Sequence, residues 1–233
     1  MTKKVIYFFR LESGVGHRFD VELSRPPAGG DLPEWTHLDT DKCPHCPLPK
    51  APGALCPAAA DLAPIVDRFS ELSSIDRVEV HVVSPEFETR KHTDAQTGLR
   101  ALMGLILATS ACPILGKMRP LAQMHRPFAT PTEMVYRIVS MHFYACYLRG
   151  VPAGLDGLDE LFSSIDRLNH AFFGRLRNAV QRDAGVNALI ALQAHGMLAS
   201  LSIKPEMENI RAWFKQTLVG DAGEIVPECK DGA

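Results

Sequence analysis

The chain has 233 residues, of which 46% are apolar and 22% charged, an ordinary globular mix that excludes wholesale disorder. Its 25 basic and 27 acidic side chains leave a formal net charge of -2, with no block of either sign. No long-range field is therefore expected to draw it onto nucleic acid or an anionic membrane.

The opening residues MTKKVIYFFR hold an apolar run too short for a signal peptide. The longest apolar stretch, between Arg100 and Lys117, is interrupted by polar residues and a proline and falls short of the roughly 20 residues that span a bilayer. These features predict a cytoplasmic protein without a membrane segment. In a reducing compartment, six cysteines are read as free thiols or metal ligands rather than disulfides.

Val5 to Leu11 is a β-rich run, Ser13-Gly14-Val15-Gly16 a turn, and His17 to Leu23 an alternating strand, so a hairpin is predicted. Residues 24–57 are rich in proline and carry three cysteines, a long stretch for a loop in a compact domain. Something beyond backbone ladders must order it. Asp61 to Leu72 has a helical stripe, and Arg77 to Val83 with Phe87 to Lys91 form a second strand pair.

Beyond residue 93 the apolar period changes from two to 3.6. Thr93 and Gln96 suggest a capping box before a helix over Leu99–Thr109. Thr130 and Glu133 suggest another, with Pro131 opening a helix that ends at Arg149 before Gly150. A long amphipathic helix follows, with Leu158, Ile165, Leu168, Phe172 and Leu176 on one face. Asn187 is expected to cap a helix through Leu201, and Pro205 to open a last one carrying Ile210, Trp213, Phe214 and Leu218. The expected fold is α+β: a small antiparallel sheet with one helix over residues 1–93, then a mainly helical region over 94–233, packed as one body.

Four of the six cysteines precede a proline: Cys43, Cys46, Cys56 and Cys112. Proline biases the residue before it towards an extended conformation, so these four share a local geometry. The Cys-x2-Cys spacing of Cys43 and Cys46 places two sulfurs within reach of one metal. Pro57 and Pro113 can each begin a helix, leaving Cys56 and Cys112 at caps where free amides favour a thiolate. Four thiolates satisfy a tetrahedral Zn²⁺ site, and a closed all-cysteine shell points to a structural metal. An iron–sulfur cluster is the alternative, since cysteine followed by proline also ends ferredoxin-type runs. A further arrangement replaces Cys112 with His37 or His45. The plain reading of Cys112, after an apolar helix, is a buried small residue.

Cys43-Pro44-His45-Cys46 resembles the active-site tetrapeptide of thioredoxin-fold thiol oxidases, which implies a low-pKa Cys43 opening a helix. The residues before it form no strand, and Pro47 and Pro49 oppose the helix. Thr109-Ser110-Ala111-Cys112-Pro113 and His125-Arg126-Pro127-Phe128-Ala129-Thr130 are similar to segments of a bacterial family with no assigned function, over roughly residues 70–150. That resemblance transfers no functional residue.

His142 and Cys146 share a helix face at i,i+4, and His125 lies between two helices, so these three are candidates for a second site. The functional expectation is a zinc-stabilised protein that binds another protein or assembles with itself; the alternative is a metal- or iron–sulfur-dependent redox enzyme. Enzyme status is left open at this level.

Overall fold

A computed structural model describes residues 3–182, without 70, 71, 74, 153 and 155, together with residues 208–214. The expected helix over Asn187–Leu201, its neighbour's start at Pro205 and the tail from residue 220 lie outside the described residues. Four strands form one antiparallel sheet: β1 (Lys4–Leu11), β2 (Gly16–Glu22), β3 (Arg77–Val83) and β4 (Glu88–Asp94), in the spatial order β2-β1-β3-β4. β1 is central and pairs with both β2 and β3, with Tyr7 opposite Phe19 on one side and Val82 on the other.

Alternation along the strands decides which face is covered. Val5, Tyr7, Phe9, Val21, Val78, Val80 and Val82 are buried on one face. Their neighbours Arg10, Arg18, Arg77 and Arg90 face solvent. Two helices cover the apolar face, α1 (Pro57–Arg68) and α2 (Ala95–Thr109). The fold class is the α+β one expected.

The boundaries moved in physically informative ways. α1 begins at Pro57, earlier than the apolar stripe from Asp61 suggested, with Cys56 as its N-cap. Proline suits that first position because its missing N–H would have no partner there. The cap of α2 is Asp94, whose carboxylate accepts the Thr97 amide at 2.7 Å; the expected Thr93–Gln96 pairing does not form. β4 continues through Thr93, so that residue is committed to the sheet. The second capping box is present as read: Thr130 and Glu133 exchange side-chain to backbone bonds at the start of α4 (Pro131–Arg149), and Gly150 ends it in the left-handed conformation. A short α3 (Arg119–Gln123) precedes it, and α5 (Asp156–Arg182) follows.

One core joins the sheet, α1, α2 and the cysteine-bearing loop to Leu168, Phe172 and Leu176 of α5. A second cluster joins α4 and α5 through Val135, Ile138, Leu158 and Ile165, with Ile210 from residues 208–214. Among the described residues, no helix is long and apolar enough to cross a membrane.

Gly98 sets how closely α2 approaches the sheet. A Cβ at this position would lie 2.7 Å from Phe9 Cε1 and 2.8 Å from Val80 Cγ2. Both neighbours are themselves buried and cannot swing into solvent. Gly98→Ala should therefore destabilise the protein by about 1–3 kcal/mol, outweighing a helix-propensity gain of about 1 kcal/mol. Denaturant unfolding checks this, and a variant as stable as the wild type would mean that α2 can back away from the sheet.

Tyr7 Oη lies 2.5 Å from His125 Nε2, tying β1 to the segment before α4. Burial first, then the Arg137 and Lys3 charges, hold the His125 imidazole down at about 3. The unfolded chain's histidine protonates below its ordinary value near 6.5, while the folded one stays neutral until about 3. Protons thus favour the unfolded chain in that window, and stability should fall as pH drops from about 6.5 towards 3. His125→Phe should lose less stability over the same range; equal pH slopes in thermal melts would refute the assignment.

Candidate metal centre

The loop from β2 to α1 is long, and two arginines bind it to the helices. Arg25, near its start, forms an ion pair at 2.8 Å with Asp61 of α1 and donates to Thr109 Oγ1 and the Ile106 carbonyl of α2. The middle of the loop makes a 3-10 turn over Glu34–Thr36 and then doubles back on itself. Leu38 N–H donates to the Ala54 carbonyl at 2.7 Å, Cys56 N–H to that of Thr36 at 2.8 Å, and His37 bridges to Leu55. Between these closing bonds lies the Cys43–Cys46 turn, sealed by the Cys46 N–H donating to the Cys43 carbonyl at 3.0 Å.

The four Cys-Pro cysteines meet. Cys43, Cys46, Cys56 and Cys112 all line one small cavity of about 20 Å³. That is room for a body about the size of one water molecule. Leu38, Leu48, Ala58, Ile114 and Phe172 complete an almost wholly apolar wall. Cys43, Cys56 and Cys112 are buried and Cys46 half-buried, and all four are free of disulfides. Cys56 arrives as the N-cap of α1. Cys112 follows α2, but Pro113 does not open a regular helix; a 3-10 turn over Leu115–Met118 forms instead, and Gly116 N–H donates to the Cys112 carbonyl at 2.8 Å. That turn still aims the Leu115 and Ile114 amides at the Cys112 sulfur.

Opposing effects set the charge state of these thiols. Burial pushes the Cys43 thiol up to about 11, and the neighbouring sulfurs of Cys56, Cys46 and Cys112 add to the rise while Arg175 opposes it. Burial likewise raises Cys112, against the two amides on its sulfur. Without a cation among them, Cys43 is a protonated thiol at neutral pH. The thiol-oxidase likeness fails on this point, because its first cysteine needs a lowered pKa. No helix follows Cys43 either.

As they stand, no three His, Cys, Asp or Glu side chains among the described residues form a group that could hold a metal ion. His37 and His45 are not in the cavity wall. His45 turns towards α5, with Nε2 3.1 Å from the Ser164 carbonyl, and its Nδ1 is buried without a partner. Of the other three candidates, His142 and Cys146 are neighbours and His125 lies apart from them. His142 Nε2 lies 2.9 Å from the Gly154 carbonyl and 3.7 Å from Cys146 Sγ, while His125 is bound to Tyr7.

Sequence reasoning missed Arg175. It is 1% exposed and lines the cysteine cavity. Its guanidinium donates to the carbonyls of Trp35, His37, Leu38 and Asp41 at 2.8, 2.6, 3.4 and 3.0 Å. Nε is buried with no partner, and no described carboxylate pairs with the group. Asp41 sits at φ 52, which turns the chain so that its carbonyl faces the arginine. The available signal was a charged residue at Arg175 beside Phe172 and Leu176, within an apolar stripe. Arg175→Leu should leave four loop carbonyls without their donor and destabilise the protein by about 2–4 kcal/mol. Thermal melts would check this, with Arg175→Lys expected to recover only part of the loss, since an ammonium cannot span the same carbonyls.

Comparison with known proteins adds a family but no chemistry. No curated protein and no solved structure matches the chain. A family model described as Domain of unknown function (DUF6901) matches residues 5–215, a far longer span than the resemblance read over residues 70–150. The match takes in the sheet, the cysteine loop and the described helices, and the chain belongs to this family.

Proposed function

We propose that Cys43, Cys46, Cys56 and Cys112 ligate one metal centre, and that this centre is a structural staple in a protein that binds a partner or assembles with itself. The observation that carries the reading is the meeting of four thiols, from three separate parts of the chain, around one small apolar cavity. Buried free cysteine is common, but four around one void are not explained by apolar packing alone. Zn²⁺ suits the set: four sulfurs complete its tetrahedral shell, leaving no open position for a substrate.

Three neighbouring groups favour ionised sulfur. The Ile114 and Leu115 amides point at Cys112, and Arg175 brings a fixed positive charge to the cavity. Four thiolates with Zn²⁺ carry two negative charges, which the arginine partly offsets. Loading would release protons, because the metal takes the deprotonated form of each ligand.

A second reading is an iron–sulfur cluster serving electron transfer. Its support is the repeated Cys-Pro step, since cysteine followed by proline also ends ferredoxin-type runs. Elemental analysis and an absorption spectrum of protein purified without oxygen separate the two: colourless protein with stoichiometric zinc, or brown protein with iron and sulfide. Protein with neither metal at stoichiometric level would end both readings.

The staple makes a further demand on variants. Cys112→Ser should lower metal content and destabilise the sheet and helical regions together, because Cys112 follows α2 while the other ligands belong to the loop and the start of α1. If Cys112→Ser keeps a full metal complement with unchanged affinity while Cys56→Ser loses it, the cross-link is wrong. A chelator that disorders only residues 24–57 would count against it too.

A further inference from the structure

A mainly apolar recess lies away from the cysteines. It is a cleft of about 320 Å³ between α2 and the chain from Leu115 to Ile138. That volume falls at the lower end of the range for small-molecule sites, roughly 300–1,000 Å³. Its floor is apolar, built from Leu105, Ala108, Leu115, Met118, Leu121 and Ile138.

The charged groups in its wall all have one sign. Lys91, Arg100, Arg126 and Arg137 line it, and no aspartate or glutamate does among the described residues. Two of the four are already engaged: Arg126 lies 3.8 Å from Glu133, and Arg137 donates to the carbonyls of Leu121 and Met124. Lys91 and Arg100 have no carboxylate partner among the described residues. Both are exposed, and Lys91 sits 5.1 Å above the ring of Phe128. Phe128 is held at φ 62, a conformation that a bulky side chain rarely adopts. Backbone strain of this kind collects at ligand sites.

We propose that this cleft binds a small amphipathic anion, a carboxylate carrying an apolar chain of medium length. The floor and the rim argue for the two halves of that molecule separately. An inorganic anion would leave the apolar floor unfilled, and a neutral hydrocarbon would bury itself beside cations that gain no partner. A carboxylate whose tail lies on Leu105 and Met118 and whose head meets Arg100 and Lys91 uses both surfaces. His125, also in the wall, is neutral and bound to Tyr7, so the positive charge comes from the four basic residues. No cysteine lines the cleft, so this site and the metal centre can be tested apart.

The test is calorimetric titration of the full chain with decanoate, with decanol as the uncharged control. Decanoate should bind saturably and at least tenfold more tightly than decanol. The double variant Lys91→Gln/Arg100→Gln, at two exposed positions, should weaken decanoate by about tenfold and leave decanol unchanged. Ala108→Phe, which fills the floor, should weaken both, with a thermal melt confirming that it folds. The proposal fails if decanoate does not saturate, if decanol matches it, or if the charge variant binds decanoate like the wild type.

Discussion

A buried guanidinium needs a replacement for water, and here a loop supplies it. The cation of Arg175 cannot lose its proton, so its burial is tolerable only if carbonyl oxygens take over the role of solvent. Four loop carbonyls do so, all within residues 35–41. The dependence runs both ways. The loop has little regular structure to hold it, and the arginine gathers its backbone onto α5 at the point where Cys43 and Cys46 follow. Cysteine placement therefore rests on a helix more than a hundred residues downstream.

That arrangement explains why the fold was legible in the sequence and the site only partly so. Strand alternation in Val5–Leu11 and Arg77–Val83 reports burial on one side of a sheet, and a period of two survives almost any tertiary context. The Thr130–Glu133 box and Gly150 fixed both ends of α4 because their bonds are local. Local signals misled where a neighbour competed: Thr93 went to β4, leaving the cap of α2 to Asp94. At the cysteines, the repeated Cys-Pro step picked out four residues that line one cavity, although Pro113 opens no helix and a 3-10 turn follows it over Leu115–Met118. Arg175 escaped because nothing in a helical stripe says that one charged member will be solvated by a distant loop. Arg25, which ties the same loop to α1 and α2, escaped for the same reason.

On the proposed metal reading, the cysteine cavity must serve two chemical states. As neutral thiols, the four side chains are good apolar packing, and burial with the neighbouring sulfurs raises Cys43 and Cys112. As thiolates, they need a cation, and the amides at Cys112 and the charge of Arg175 go only part of the way. A core composed to stay protonated would gain nothing from a fixed positive charge in its wall. On the proposed metal reading, the guanidinium that holds the loop carbonyls also serves the cluster.

The order of strands carries a consequence at the margins of the sheet. β2 and β4 are its two edges, and each leaves one row of backbone donors and acceptors unpaired within the sheet. Both are dense in charge: β2 carries Arg18, Asp20 and Glu22, and β4 carries Glu88, Arg90, Lys91 and Asp94. Adding a strand from another molecule would bring these alternating charges against a partner that must match them in register, and lysine on an edge is among the common obstacles to such pairing. The sheet can thus remain open at both sides without templating fibrils, and its margins are guarded by side chains that the buried face never needed.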